Sequence, residues 1–269
     1  MIVFSHANSF PASTYRVLFR NLKARGYTVK AIEKYGHDPR YPISNNWPDV
    51  VQQLVDFARP LVDQTGEPVW LIGHSLGGFL SLMAASRNPE LARGVVLVDS
   101  PILGGWRSTA VGVMKTTQMF GSLSPGAVSR NRRNNWPSAE AAFEHFRHKK
   151  AFAKWDDEVL RDYVAHGTLE SDGKRILSFN RQVETQFYNT VPDNLEQLLV
   201  RHPVKCLVAF IGGLASVEMR QVGMTTTEKI TKGRIMMLDG SHLFPMEKPV
   251  ATAAAIEAAL RNFDAKSQK

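Results

Sequence analysis

One cysteine, Cys206, in 269 residues cannot close an internal disulfide, which excludes a stapled secreted scaffold. Apolar runs are short. Val95–Val98 is typical of them, and nothing approaches the roughly 18 residues that a membrane helix needs. Low-complexity tracts and internal repeats are missing as well. The sequence has no C-x-x-C, no H-E-x-x-H, no acidic calcium loop and no G-x-G-x-x-G behind a strand, so no metal, dinucleotide or other cofactor is expected. Met1–His6 already reads as a core strand, with no basic and apolar leader ahead of it, and the expected location is therefore the cytoplasm.

The composition that remains is that of an ordinary globular protein, 43% hydrophobic and 22% charged, long enough for one α/β core with a part appended. A net charge of +8 arises from 33 basic and 25 acidic residues. Its densest basic stretch spans 130–154, with Arg130, Arg132, Arg133, Arg147 and Lys149 opposed by Glu140 and Glu144. A patch for nucleic acid or an anionic surface is one reading of that stretch, and a solvated helical face is the other. No recognition module accompanies it. The expected partner is a small-molecule substrate, without nucleic acid or membrane, for a monomer or homodimer.

Two textures alternate along the chain. Short, nearly continuous apolar runs (Ile2–Phe4, Tyr27–Ile32, Pro68–Ile72, Gly94–Val98, Val204–Ile211 and Arg234–Leu238) read as strands buried on both faces of a parallel sheet. Helical spacing separates the first four, over Tyr15–Ala24, Trp47–Asp63 and Leu76–Ser86. In the second of these, Val50, Val51, Leu54, Val55 and Ala58 form one stripe. The expectation is an α/β fold with a doubly wound, mainly parallel sheet of about six strands. From Pro101 to about Val200 no convincing strand appears, only helix candidates such as Ala139–Phe152 and Glu158–His166, with glycine and proline spacers that include Gly173. A hundred residues is too long for a loop. Residues 101–200 are therefore expected to form a helical cap, and residues 1–100 and 201–269 the core. Pro249–Phe263 reads as a closing helix.

The stretch Val69-Trp70-Leu71-Ile72-Gly73-His74-Ser75-Leu76-Gly77-Gly78 carries chemistry. It is a strand, a G-x-S-x-G turn and an immediate helix. A serine at so sharp a turn is held in a strained conformation that projects its hydroxyl above the carboxyl edge of the sheet. Gly73 and Gly77 remove Cβ atoms that would collide there. The Leu76 N–H, near a helix N-terminus, is suited to a developing oxyanion.

On these residues, GHSLGG above all, the chain resembles the α/β-hydrolase superfamily, as a serine esterase-like member with a helical cap. The resemblance covers about residues 1–100 and 200–263, with a looser match of the middle hundred to the cap. It implies that Met1–His6 corresponds to the family's third strand and that the N-terminal hairpin of most relatives is lacking. A serine hydroxyl needs a general base. His242, in the loop Asp239-Gly240-Ser241-His242 beyond the last strand, matches the family position, and Glu247-Lys248-Pro249 matches the Glu-x-Pro that follows it. The usual acid, an aspartate two or three residues past the glycine ending the next-to-last strand, is replaced here by Gly213-Leu214-Ala215-Ser216-Val217-Glu218. Asp99, ending Val95–Val98, is the first candidate for that role and Glu218 the alternative; a third case has no functional acid. Ser5-His6-Ala7-Asn8 aligns with the family's His-Gly-x turn, which makes the Asn8 N–H the second oxyanion donor and His6 a brace for the turn. The expected pocket residues are His6, His74 and Trp106.

Cap aromatics and thioethers, among them Met114, Met119, Phe120, Trp136, Phe143, Phe187 and Tyr188, suggest an apolar pocket as well as the cap's own core. The resemblance implies a serine hydrolase, carboxylesterase- or lipase-like, cleaving small apolar esters through an acyl-enzyme. The same triad would serve thioester, lactone or carbon–carbon bond hydrolysis. A non-catalytic ligand-binding protein on the same fold is the reading from another class.

Overall fold

The computed structural model describes residues 1–104 and 129–267. Six strands, β1 (Ile2–Ser5), β2 (Val29–Ala31), β3 (Val69–His74), β4 (Ala92–Val98), β8 (Leu207–Gly213) and β9 (Ile235–Leu238), form one sheet in the order β2-β1-β3-β4-β8-β9. Every pairing in it is parallel. Register aligns Phe4 with Ile72, Ile72 with Val96 and Val96 with Ala209. All four point to one face, where α1 (Arg16–Ala24) and the C-terminal helix α11 (Pro249–Ser267) pack together. Their sequence neighbours Val3, Leu71, Val95 and Val208 point to the opposite face, toward α2 (Pro48–Thr65) and α3 (Leu76–Arg87). The four inner strands β1, β3, β4 and β8 therefore bury nearly all of both their even and their odd residues, which is why their runs read as continuous rather than alternating.

Between β4 and β8 lie α4 (Ala139–Arg147), α5 (Asp157–Gly167), α6 (Arg181–Asn189) and α7 (Leu195–Arg201). The expectation of helices alone in this stretch is corrected by a three-stranded antiparallel sheet of β5 (Asn135–Trp136), β6 (Thr168–Ser171) and β7 (Lys174–Leu177), in the order β5-β7-β6. The cause is a two-residue hairpin. Ser171 pairs with Lys174 across Asp172 (φ +51°) and Gly173 (φ +70°), two consecutive positive-φ residues of the kind an Asp-Gly dipeptide favours. Helix α4 also stops at Arg147, five residues before the expected end, and a run of turns follows through Trp155. Trp136, Phe146, Trp155 and Tyr163 are buried together, with the Phe10 ring 5.6 Å from Tyr163, so this segment packs onto the turn after β1. After β8 come two short helices, α8 (Val217–Val222) and α9 (Thr225–Thr231), and after β9 a single turn, α10 (Phe244–Glu247).

Candidate active site

The site is assembled where β1, β3, β4, β8 and β9 end. Ser75 follows β3 at φ +53° and ψ −118°, a region that L-residues avoid, and its N–H is held by the Val98 carbonyl at 2.9 Å. The flanking glycines are obligatory for contact reasons. A Cβ on Gly73 would lie 2.0 Å from the Gly77 backbone, and one on Gly77 would lie 2.0 Å from the Ser5 carbonyl oxygen. Leu76 opens α3, so its amide is among those without an acceptor inside the helix.

Asp99, one residue past β4, is fully buried with φ +43°. Its Oδ1 accepts the Gly213 N–H at 2.8 Å, and its Oδ2 accepts the Ser216 hydroxyl at 2.6 Å. His242 Nδ1 lies 2.6 Å from the same Oδ2 and donates to it. Glu218, half exposed, stands 4.0 Å from that nitrogen. The two carboxylates left open by the sequence thus both face His242 Nδ1, but only Asp99 is within hydrogen-bonding distance. Ser216 was missed by sequence reasoning. It stands three residues past Gly213, where the family pattern has its aspartate, and its hydroxyl reaches the carboxylate that β4 supplies instead. Glu247 holds the His242 loop, accepting the Ser241 N–H at 3.0 Å and the Ser241 hydroxyl.

Asp99, Glu218 and His242 are also the single His/carboxylate group of metal-binding dimensions among the described residues, with ligand atoms within 4.8 Å of one another. Both Asp99 oxygens are already engaged with Gly213, Ser216 and His242, so the arrangement orients an imidazole rather than presenting an open set of donors.

A cavity of about 130 Å³ brings Ser75, Leu76, His242 and Asn8 to one surface. Phe79, Phe187 and Leu243 give it apolar walls, and Tyr188 adds a phenol whose pKa burial pushes up to about 12. The Asn8 side chain is tied back to α6, its Nδ2 donating to the Glu184 carbonyl at 3.1 Å.

His6 and His74 do not line this cavity, which corrects their expected place as pocket residues. Both are fully buried, which is tolerated because both nitrogens of each ring have backbone or phenol partners. His6 Nδ1 donates to the Ala7 carbonyl at 2.7 Å, and its Nε2 accepts the Tyr35 N–H at 2.9 Å. Burial, the largest cause, lowers its pKa from 6.5 to about 4. His74 Nδ1 meets the Tyr15 hydroxyl at 2.7 Å and its Nε2 meets the His242 carbonyl at 2.8 Å. Burial first, and the neighbouring His242 second, lower its pKa to about 3. Trp106, Met114, Met119 and Phe120 lie outside the described residues.

A family model described as the alpha/beta hydrolase family matches residues 2–255. This chain belongs to that family. Among curated hydrolase relatives, a monoglyceride lipase homolog of monkeypox virus is 25% identical over 146 residues, 49% of this chain and 51% of the relative. The chain therefore spans about half the length of that relative. Among solved structures, an E-2-(acetamidomethylene)succinate hydrolase superposes with a TM-score of 0.74 at 19% identity, over 97% of this chain and 91% of that one. The thioesterase domain of the curacin biosynthetic pathway has the same TM-score and identity, over 95% and 90%. Both likenesses are of fold. Among the described residues no helix is long and apolar enough to cross a membrane.

Proposed function

We propose that this alpha/beta hydrolase cleaves carboxylic ester bonds of small, largely apolar substrates through an acyl-enzyme. The observation that carries the reading is the 2.6 Å contact of His242 Nδ1 with buried Asp99, beside a cavity shared by the Ser75 and His242 side chains. Ser75 Oγ attacks the acyl carbon while His242 Nε2 takes its proton. The same imidazolium then returns the proton to the leaving alkoxide as the acyl–oxygen bond breaks. Water attacks the acyl-enzyme in the second half, with His242 again as base, and the acid product leaves as Ser75 is re-formed. Asp99 fixes the tautomer that keeps Nε2 free to accept. The amides of Leu76 and Asn8 face the developing oxyanion. Residues 101–200 act as a cap over this edge, and no cofactor takes part.

A cavity of about 130 Å³ is close to the roughly 150 Å³ that accommodates one benzene ring. The expected acyl group is therefore short or a single ring. A panel of p-nitrophenyl esters from acetyl to palmitoyl tests this, with turnover highest for the short acyl groups and lost in Ser75→Ala. Folded protein without turnover or burst on any ester overturns the esterase reading. Thioester, lactone and carbon–carbon substrates, which the same three side chains would serve, belong in the same panel.

A further inference from the structure

A buried hydrogen-bonded string runs beneath the site and touches each of its three backbone segments. It begins at the turn after β1, where the Ala7 N–H donates to the Tyr15 hydroxyl oxygen at 3.0 Å. Tyr15 O–H continues to His74 Nδ1 at 2.7 Å, and His74 Nε2 reaches the carbonyl oxygen of His242 at 2.8 Å. Direction follows from chemistry. A carbonyl only accepts, so Nε2 carries the proton; a neutral ring then presents Nδ1 as the acceptor of the tyrosine proton. The phenol in turn accepts the Ala7 amide. Ala7, Tyr15 and His74 are all nearly or wholly inaccessible, at 3%, 2% and 0% exposure, so the first two bonds are shielded from water and the third is shielded from the His74 side.

The string ends at informative places. Ala7 precedes Asn8, the expected oxyanion donor; His74 precedes Ser75; and the last acceptor is the backbone of His242 itself. We infer that His74 is a positioning residue which, through Tyr15 and the His242 carbonyl, holds the oxyanion turn, the nucleophile and the base in one register. The inference rests on the hydrolase reading above and extends it to a residue that touches no substrate. Nothing about a buried core histidine requires its second nitrogen to land on the backbone of the base. Here the elbow's x position is a side chain with one donor and one acceptor in opposite directions, which leucine cannot imitate and glutamine can. The same geometry favours a neutral ring: protonating Nδ1 would remove the acceptor of the buried Tyr15 O–H and leave that proton without a partner in the string.

The test compares wild type with His74→Gln, His74→Leu and Tyr15→Phe, each first shown folded by circular dichroism and thermal unfolding. Two readouts are taken: kcat and KM on the best p-nitrophenyl ester, and the rate at which a fluorophosphonate labels Ser75. A displacement of the base by about an ångström predicts a loss of about 100-fold in kcat for His74→Leu, with KM little changed. Fluorophosphonate labelling slows in parallel. His74→Gln recovers most of both rates, and Tyr15→Phe, which keeps the ring but orphans its Nδ1, falls between. Should His74→Leu misfold, the Tyr15→Phe and His74→Gln pair still decides the matter. Folded His74→Leu or Tyr15→Phe with wild-type kcat and labelling overturns the inference, as does His74→Gln performing no better than His74→Leu. Wild type that neither turns over nor labels overturns the hydrolase reading instead, and the inference with it.

Discussion

At the scale of single residues, the informative contrast is between two carboxylates that face one imidazole nitrogen. Asp99 is wholly buried and 2.6 Å from His242 Nδ1, while Glu218 is half exposed and 4.0 Å away. A hydrogen bond to a buried carboxylate orients the ring; a screened charge beyond hydrogen-bonding distance does little. Asp99→Asn is therefore expected to lower kcat by on the order of 10⁴-fold with the fold intact, since the amide can favour the wrong tautomer. Ser216→Ala removes one of the three bonds to Asp99 and is expected to cost about tenfold, at about 1.4 kcal/mol for a lost charge-assisted bond. Glu218→Gln should stay near wild type. Steady-state kinetics on one activated ester check all three, and the reverse order of Asp99 and Glu218 would reassign the acid. The sequence left this choice open for a physical reason. Asp99 is adjacent to apolar Val98 and reads equally well as a loop cap, and the group that marks its role, the Ser216 hydroxyl, is contributed from 117 residues away.

At the scale of elements, legibility followed burial. β1, β3, β4 and β8 bury nearly every residue, and so leave continuous apolar runs that a reader of the sequence can find. β6 and β7 are four residues each and half exposed, with Glu170, Lys174 and Arg175 among them, and carry no such signal. Their one mark was Asp172-Gly173, readable as a hairpin turn but also as a spacer. The elbow was legible because its glycines answer to collisions, whereas the partner of His74 was not, because Tyr15 sits on the turn before α1, 59 residues earlier. These two kinds of glycine predict different costs. A Cβ on Gly173 meets nothing within 4 Å, so Gly173→Ala pays only for its positive φ, about 1 kcal/mol. A Cβ on Gly78 would lie 2.1 Å from the Ser100 hydroxyl and 2.4 Å from its Cβ. Ser100 is buried and bonds the Ser75 carbonyl at 2.8 Å, so it has little room to yield. Gly78→Ala is expected to cost about 3 kcal/mol and to disturb the elbow as well. Urea unfolding of the two variants measures the difference, and equal midpoints would contradict it.

At the scale of the molecule, the two imidazoles beneath the site tie the stability of the fold to pH. His6 and His74 are neutral in the native state, with pKa values drawn from 6.5 down to about 4 and about 3, chiefly by burial. The unfolded chain binds these protons first. Stability from the two groups is therefore complete above about pH 6.5 and is lost as the pH falls through that value toward 4 and 3. For His6 the displacement amounts to about 3 kcal/mol by pH 4, and His74 adds a loss of similar order over a slightly wider range. Exposed ion pairs such as Arg20–Glu158 and Arg59–Glu90 carry too little of the fold to mask this, because water and salt screen them. The unfolding free energy in urea is expected to be level from pH 8 to 7 and to fall by several kcal/mol from pH 6.5 to 4. His6→Gln separates this cause from general acid denaturation. Its amide can still donate to the Ala7 carbonyl and accept the Tyr35 N–H, but it has no proton to take up. The slope of that variant below pH 6.5 should be visibly shallower than that of wild type; the same slope in both would show that the neutral His6 ring is not what acid attacks.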